Sequence, residues 1–381
     1  MHRRHFLTLS GAALATGPAW AHDNTAWARD FGRFVMDGLA ITNTPGLSVA
    51  LLRGGRTLFS AGYGYADVEA ARRVTPDTVF QIASLSKTVT ATALMLLQQD
   101  GAFALDDPIA PHLDFPVAHP KFPGAQITFR HLFTHTSGIS DAAYDGLDFT
   151  GVAPAPLGDF LRDYLVSGGK LYDAAKCYSG TAPGTAWSYS NVAVALLGHL
   201  AGRLGPDPLD AITQKRLFAP LGLRNTAWRY AGIPDNRLAQ PYAFEAARYR
   251  RLPKQTYPDW PAGLLCTSAN DFAKILAIYT QGGHGILKPQ TFAAMLTPDP
   301  VILDPAHPEV RQGLIWRLRT LDGHRLVSHP GGDPGAASVA VFDPDRQIGA
   351  LAFANIEQDA DFKPFQREVI ERLLDRAATP H

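Results

Sequence analysis

The sequence is poor in cysteine, has no excess of either charge and contains no long apolar run. Two cysteines among 381 residues are too few for a disulfide-rich scaffold or a four-cysteine zinc site. The 35 basic residues are balanced by 35 acidic ones, so the chain lacks the positive excess with which proteins neutralise nucleic-acid phosphates. We therefore expect no nucleic-acid partner. No run of about 18 apolar residues occurs either, so we expect no membrane-spanning helix.

The residues that are present are typical of a folded protein. Hydrophobic residues make up 46% of the chain, which is too much for an intrinsically disordered sequence. The 34 glycines and 29 prolines follow no repeating period, and this excludes a collagen-like chain. The length suits one large domain or two modest ones.

Residues 1–21 have the features of an export signal. Arg3 and Arg4 form a basic start, residues 6–15 form a short apolar stretch, and small residues precede a cleavage point after Ala21. The paired arginines are similar to those of twin-arginine signals. A buried N-terminal helix is the alternative, but two glycines and a proline in this segment disfavour it. We therefore expect an exported protein, periplasmic or secreted, whose mature form is slightly acidic.

Export changes how the two cysteines are interpreted. In an oxidising compartment Cys177 and Cys266 have the opportunity to form a disulfide. Such a bridge would close a long loop and add about 4 kcal/mol to the free energy of unfolding in the chain-entropy model. Two buried free thiols are the alternative, and the sequence leaves both open.

Hydrophobic patterning predicts strands near both ends of the chain and a helical middle. Helices are predicted over residues 25–40, 84–99 and 365–377. Strands are predicted over residues 47–52, 57–65, 314–320, 325–327, 338–342 and 348–355. Short turns join neighbouring strands, which favours antiparallel pairing.

We therefore expect an α+β fold after the signal, within residues 22–381. Residues of about 30–83 and 311–381 would build one antiparallel sheet flanked by helices. Residues of about 102–310 would form a helical insertion domain.

The first chemical feature is Ser84, which stands one helical turn before Lys87. Side chains at this spacing on a helix lie side by side. A serine hydroxyl is a weak nucleophile until a neighbour takes its proton, and a lysine can do this when its surroundings lower its pKa. Ser167 and Lys170 repeat the spacing in a glycine-containing stretch that we predict to be a loop. The alternative for Ser84 is an ordinary helix cap.

Further motifs follow in order along the chain. They are Tyr189-Ser190-Asn191, His329-Pro330-Gly331-Gly332, and two accessory stretches at residues 132–138 and 261–268. With these motifs the sequence resembles the serine β-lactamases and penicillin-binding proteins over about residues 30–375. The match is closest to class C β-lactamases, D-alanyl-D-alanine carboxypeptidases, and the esterases and D-aminopeptidases that share their fold.

The resemblance implies a role for each residue of the site. Ser84 would form an acyl-enzyme that water hydrolyses, with Lys87 as proton acceptor or as the partner of a tyrosinate. Tyr189 would act as general base or proton relay, and Asn191 would hydrogen-bond Lys87 and the substrate carbonyl. The backbone N–H groups of Ser84 and Gly332 would form an oxyanion hole. The family implies no cofactor, and the substrate would be a small molecule or a peptide.

The third motif departs from the family pattern. The resemblance places His329, Gly331, Gly332 and Asn355 at the substrate, but most relatives carry a lysine at the position of His329. Pro330 replaces a threonine whose hydroxyl helps to bind a substrate carboxylate. A histidine titrates near pH 6.5, so a working neutral form predicts a rate that rises through about pH 6–7.

These departures favour an esterase or a D-amino-acid peptidase or amidase. A class C-type β-lactamase or D-Ala-D-Ala carboxypeptidase is one alternative. A non-hydrolytic sensor that binds penicillin or peptidoglycan is another.

Two further groups of residues have open interpretations. Four aromatic residues either line an acyl pocket or pack in the core: Trp187, Tyr178, Trp260 and Trp316. His131 and His135 have a spacing that suits a metal, but no third ligand accompanies them. We therefore expect no metal site.

Overall fold

The computed structural model describes residues 18–144, 155–321 and 323–379, with side chains from residue 25 onward. The predicted export signal lies outside the described residues, apart from its last four positions, which begin the first helix. None of the helices in the described ranges is long and apolar enough to cross a membrane.

The helices and strands follow one another along the whole described chain. The α-helices are α1 (Pro18–Ile41), α2 (Ser86–Gln99), α3 (Phe129–Phe133), α4 (Leu157–Leu165), α5 (Asn191–Leu204), α6 (Leu209–Thr213), α7 (Ala269–Thr280), α8 (Pro289–Met295) and α9 (Phe362–Ala378). The strands are β1 (Gly46–Arg53), β2 (Arg56–Asp67), β3 (Arg72–Arg73), β4 (Val79–Gln81), β5 (Thr226–Ala227), β6 (Tyr242–Glu245), β7 (Arg248–Arg251), β8 (Cys266–Ser268), β9 (Val310–Gln312), β10 (Arg317–Leu321), β11 (His324–Asp333), β12 (Ala336–Asp343) and β13 (Ile348–Ala354).

The main sheet is antiparallel and is built from both ends of the chain. Its strand order is β3-β2-β1-β13-β12-β11-β10-β9. The two ends meet where β1 pairs with β13, from Leu47 opposite Ala354 to Arg53 opposite Ile348. This confirms the predicted α+β fold, because the intervening residues leave the sheet and contribute most of the helices.

The central strands are apolar on both faces because helices cover both sides of the sheet. Val49 and Ala352 belong to a core shared with α1 and α9. Leu351 and Phe353 point to the opposite face, where the ring of Phe353 lies 5.7 Å from that of Phe272 on α7. The sheet is therefore the middle layer of the molecule, as the continuous apolar sequence of β13 requires.

Helix α2 runs through the centre of the larger core. Its side chains from Ser86 to Leu97 are all buried, and it packs against α5 and α6. The structure begins this helix two residues later than predicted, because Ala83–Leu85 form a 3₁₀ turn that precedes it. Ser84 thus lies at the junction between the sheet and the helical middle.

Strand β11 has different neighbouring strands along its length. Residues 324–328 pair with β10 on one side, and residues 327–333 pair with β12 on the other. Within the described residues, 329–333 therefore have a strand neighbour on one side alone. Pro330 lies in this part opposite Val339, where its missing N–H removes no bond from a central ladder.

Candidate active site

A strained turn leaves Ser84 partly exposed at the edge of the core. The preceding residue, Ala83, has a φ of +45°, a left-handed conformation that is costly for a residue other than glycine. The hydroxyl of Ser338 on β12 donates to the carbonyl oxygen of Ile82 at 2.6 Å and anchors the turn. Ala83 and Leu85 are buried, whereas Ser84 is partly exposed. The turn therefore leaves the Ser84 hydroxyl accessible at the end of a buried helix.

Lys87 is fully buried and points its amine at Ser84. Its Nζ lies 2.9 Å from Oγ of Ser84, 2.6 Å from Oδ1 of Asn191 and 2.7 Å from the carbonyl oxygen of Ala262. The last two atoms are acceptors only. A neutral amine can therefore donate to both of them and direct its lone pair at the Ser84 hydroxyl. The predicted hydrogen bond between Lys87 and Asn191 is present.

Tyr189 lies beside two basic side chains. The centre of its ring is 4.9 Å from Nζ of Lys87. Arg317 on β10 is close enough for its charge to interact with the phenol, and burial lowers the pKa of Arg317. Sequence reasoning missed Arg317, because nothing in the predicted strand 314–320 marks it as a site residue.

Asp141 holds the second motif in place and was also missed from the sequence. Its carboxylate accepts hydrogen bonds from Oγ of Ser190 at 2.8 Å and from the backbone N–H groups of Asn191 at 2.6 Å and Val192 at 3.2 Å. These N–H groups belong to the first turn of α5, where a carboxylate is a favourable cap. Burial raises the pKa of Asp141, and the three hydrogen bonds oppose that shift.

His329 is buried and neutral. Its Nδ1 lies 2.7 Å from the carbonyl oxygen of Pro330, an acceptor, so Nδ1 carries the proton. Burial, followed by the charges of Lys87 and Arg317, holds the pKa of His329 well below its usual value. This corrects the expectation of a titration near pH 6.5, because the depth at which the ring is buried cannot be read from the sequence.

The two glycines of the third motif have different surroundings. A Cβ on Gly331 would lie 2.4 Å from both the carbonyl oxygen of Ile82 and Oγ of Ser338. A Cβ on Gly332 would have no atom nearer than Gln358 at 3.4 Å. Gly331 therefore lets β11 lie directly against the Ser84 turn. This places the backbone of Gly332 beside that turn, as an oxyanion hole formed with Ser84 requires.

Two carboxyl groups near the site have raised pKa values. Burial raises the pKa of Asp333, the residue after Gly332, to about 7 and that of Asp259 to about 6. Oδ2 of Asp333 accepts from the amide of Gln81 at 3.1 Å. Oδ2 of Asp259 accepts from the hydroxyl of Tyr144 at 2.9 Å. Neither carboxyl was predicted, because each lies just outside a recognised motif and its burial cannot be read from the sequence.

Comparison with known proteins identifies the family. The family model described as Beta-lactamase matches residues 31–374. The chain belongs to the beta-lactamase family. Its members named below include an esterase, a penicillin-binding protein and other hydrolases, in agreement with the predicted resemblance.

Several relatives show how broad the family is. Esterase EstB of Burkholderia gladioli is 32% identical over 204 residues, which are 52% of this chain and 50% of the esterase. The Unguisins hydrolase ungD' of Aspergillus campestris is 26% identical over 92% of this chain and 66% of its own length. Penicillin-binding protein 4* of Bacillus subtilis is 24% identical over 86% of this chain and 72% of its own. The chain thus spans between half and two thirds of the length of the first two relatives.

Solved structures share the fold. EstCE1, described as a hydrolase with promiscuous acyltransferase activity, superposes with a TM-score of 0.75 at 21% identity and covers 94% of this chain and 100% of its own. The D-amino acid amidase of Ochrobactrum anthropi SV3 gives a TM-score of 0.73 at 23% identity, with 92% of this chain and 98% of its own covered.

In this member of the beta-lactamase family, the side-chain amide of Asn355 is bound by nearby backbone. Its side chain is buried and its amide donates to the carbonyl oxygens of Tyr65 at 3.2 Å and Gln240 at 3.0 Å. Its expected contact with substrate stays a prediction. Asn355 ties the end of β13 to two neighbouring segments.

Among the four candidate pocket aromatics, Trp187 is the one that contacts Tyr189 in the described residues. It is partly exposed, its ring is 6.3 Å from that of Tyr189, and its Nε1 donates to Oε1 of Gln312 at 3.2 Å. The other three are buried in the core: Trp316 packs against Tyr279 and Phe342, Trp260 against Trp228, and Tyr178 donates to the carbonyl oxygen of Leu165.

The structure shows what surrounds the two cysteines and the pair His131 and His135. Cys177 and Cys266 are both buried free thiols, so the disulfide alternative is not formed. Nδ1 of His131 accepts from the N–H of Thr128 and caps α3, while His135 lies against Tyr189. In the described part of the chain no three His, Cys, Asp or Glu side chains form a group that could hold a metal.

Proposed function

We propose that this protein is a serine hydrolase that cleaves an ester or amide through an acyl-enzyme on Ser84. The observation that carries the proposal is the 2.9 Å contact between Nζ of Lys87 and Oγ of Ser84. Since the other partners of that amine, Asn191 and Ala262, offer it acceptor oxygens, its neutral form has a lone pair available for the serine proton. A nucleophile and a base within hydrogen-bond reach are what this chemistry needs.

The reaction proceeds in two steps. Oγ of Ser84 attacks the substrate carbonyl carbon while Lys87 accepts the hydroxyl proton. Tyr189, beside Lys87, passes its proton to the leaving group as the bond to the carbonyl carbon breaks, and then takes a proton from the water that attacks the acyl-enzyme. As the acyl bond to Ser84 breaks, Lys87 returns its proton to Oγ of Ser84. The N–H groups of Ser84 and Gly332 stabilise the oxyanion, and one such donor contributes about 3 kcal/mol to the transition state.

The third motif favours two kinds of substrate over β-lactams: esters, and the amides of D-amino acids. His329 is neutral and buried, and Pro330 has neither a hydroxyl nor an N–H with which to hold a carboxylate. At these two positions the site therefore lacks the lysine and the threonine hydroxyl that the resemblance leads one to expect for binding anionic substrates. The esterase and D-amino acid amidase named above support the same substrate class.

The test combines active-site labelling with a panel of substrates. A fluorophosphonate probe should label the wild-type protein and the Ser167→Ala variant, but not Ser84→Ala. p-Nitrophenyl butyrate, D-alanine p-nitroanilide and nitrocefin are then assayed side by side. We expect clear esterase activity with little nitrocefin hydrolysis. Efficient nitrocefin turnover would overturn the substrate assignment, and a stable acyl adduct without turnover would indicate a sensor.

We propose also that the protein is exported and cleaved after Ala21. The support is the basic start with Arg3 and Arg4 followed by an apolar stretch. Expression of the full chain in a Gram-negative host, followed by fractionation and N-terminal sequencing, should give a periplasmic protein that begins at His22. Replacement of Arg3 and Arg4 by lysine should retain the precursor in the cytoplasm if the signal is of the twin-arginine type.

A further inference from the structure

His135 touches the segment around Tyr189 at three points. Its carbonyl oxygen accepts from the N–H of Ser188 at 2.8 Å, and its Nδ1 accepts from the N–H of Ser190 at 3.2 Å. The centre of its ring lies 4.6 Å from the centre of the Tyr189 ring. One residue therefore holds the backbone on both sides of Tyr189 and also contacts its side chain.

The backbone geometry makes this contact specific. Ser190 is extended, with φ −143° and ψ 122°, and in extended chain alternate N–H groups point the same way. The N–H groups of Ser188 and Ser190 thus both face His135, while Tyr189 lies between them. His135 itself has a φ of +56°, a strained conformation of the kind that occurs at functional sites.

The protonation state of His135 follows from these hydrogen bonds. Because Nδ1 accepts from Ser190, the ring proton must lie on Nε2. Burial, with smaller contributions from the charges of Lys87 and Arg317, lowers the pKa of His135 to about 3. The acceptor is therefore retained at any pH at which the enzyme would work.

Asp141 also holds the segment around Tyr189, and it lies at the other end of the loop that contains His135. It binds Oγ of Ser190 and the N–H of Asn191. Between them, His135 and Asp141 leave Tyr189 little freedom to shift relative to Lys87, whose Nζ lies 4.9 Å from the tyrosine ring.

We propose that His135 is a positioning residue for Tyr189: it fixes the phenol for proton transfer without touching the substrate. This inference rests on the hydrolase function proposed above. Loss of the Nδ1 acceptor would leave the N–H of Ser190 unpaired and would release Tyr189. Misplacement of a reacting group by about 1 Å can lower a rate about 100-fold. The effect should fall on kcat, because the substrate loses no contact.

The experiment compares His135→Asn with His135→Leu. The two side chains have similar shapes, but asparagine alone offers an acceptor near the position of Nδ1, and it tolerates a positive φ. We expect Asn to keep kcat within about fivefold of wild type and Leu to lower it about 100-fold, with KM unchanged within about twofold in both. His131→Phe is the matched control, because His131 lies one helical turn earlier, in α3, and caps that helix instead.

The outcomes separate this inference from the proposed function. Fluorophosphonate labelling of wild-type Ser84 tests the function by itself. If wild-type Ser84 is labelled, three results would each overturn the role of His135. They are equal losses of kcat in the Asn and Leu variants, a wild-type kcat in the Leu variant, and a rise in KM in place of a fall in kcat. If the Leu variant does not fold, as judged by circular dichroism, His135→Phe keeps the ring and lacks the acceptor, and the same criteria apply to it.

Discussion

Nζ of Lys87 lies 2.9 Å from Oγ of Ser84, although Lys87 is fully buried and Ser84 is partly exposed. The 3₁₀ turn before α2 produces this relationship, since it lifts the serine out of the helix that buries the lysine. Two further elements complete the contacts of the amine, through Asn191 at the start of α5 and the carbonyl of Ala262. Base and nucleophile are thus held by one helix end and fixed by two distant segments.

Replacement of Lys87 by methionine should abolish most of the activity. Methionine fills the buried space but cannot accept the Ser84 proton, and general-base catalysis contributes about 100- to 10,000-fold. We expect kcat/KM for p-nitrophenyl butyrate to fall by about that factor, and labelling of Ser84 to slow in parallel. Lys170→Met is the control, because Lys170 repeats the sequence spacing but is exposed. Equal activity in Lys87→Met and wild type would contradict the role of Lys87.

Replacement of His329 by asparagine should leave the pH profile unchanged around neutrality. Burial keeps the pKa of His329 well below 6.5. The imidazole is therefore neutral throughout this range and would gain a proton only at much lower pH. The ratio of kcat/KM between wild type and His329→Asn should stay constant between about pH 6 and 8. A ratio that changes with a midpoint near pH 6.5 would show that His329 titrates after all.

The architecture was largely predictable because it follows from local patterns. Apolar runs and short turns predicted the paired strands at both ends, and helical spacing predicted all of α2 with two residues too many at its start. Strand β11 was predicted too short, at residues 325–327, because Pro330 and the two following glycines are poor strand formers. In the structure the strand continues to Asp333, since β12 pairs with residues 327–333 on one side.

The site was predictable where its residues lie in contiguous motifs and not where folding brings them together. Ser84, Lys87, Tyr189 and Asn191 have recognisable spacings. Asp141 and Arg317 approach from separate segments, and no local pattern distinguishes them from surface charges. Asp333 directly follows the third motif, but its burial, which sets it apart from a surface carboxylate, depends on the fold. The contacts of Asn355 were not predictable for a related reason. Its position was carried over from relatives, whereas its hydrogen bonds to Tyr65 and Gln240 depend on how this chain packs.

The cysteines should behave as two unreactive thiols. Cys177 and Cys266 are both fully buried, and burial raises the pKa of Cys266 to about 12, so little thiolate is present. A thiol reagent should titrate two groups in denatured protein and react slowly with native protein. A reducing agent should not shift Tm. If denatured protein purified without a reductant shows no free thiol, the cysteines are bridged.

Asp333 should make the wild-type protein less stable as the pH rises from about 4 to 7. Its pKa is raised to about 7 in the folded state, whereas an unfolded aspartate titrates near 4. Between these values the folded state holds a proton that the unfolded state has lost. The free energy of unfolding therefore falls with pH, by at most about 1.4 kcal/mol per pH unit.

Asp333→Asn keeps the shape of the side chain and removes this titration. Urea unfolding of both proteins at several pH values should show the wild type losing stability relative to the variant as the pH rises. Parallel pH dependences would mean that the carboxyl ionises as easily in the folded protein as in the unfolded chain.

Gly331→Ala and Gly332→Ala should have very different effects, although the residues are adjacent. A Cβ on Gly331 would lie 2.4 Å from both the carbonyl oxygen of Ile82 and Oγ of Ser338, so β11 would have to move away from the Ser84 turn. Overpacking of this kind costs about 1–3 kcal/mol, and the displaced backbone of Gly332 would no longer face the oxyanion. We expect a lower urea midpoint and a fall in kcat of about tenfold or more.

Gly332→Ala is the matched control for this displacement. A Cβ at Gly332 would meet Gln358 at 3.4 Å, and the flexible side chain of Gln358 can give way. This variant should keep a urea midpoint close to that of wild type, since the strand does not have to move. Near-equal stability and kcat in Gly331→Ala and wild type would show that the close approach of β11 to the Ser84 turn does not hold the oxyanion site in place.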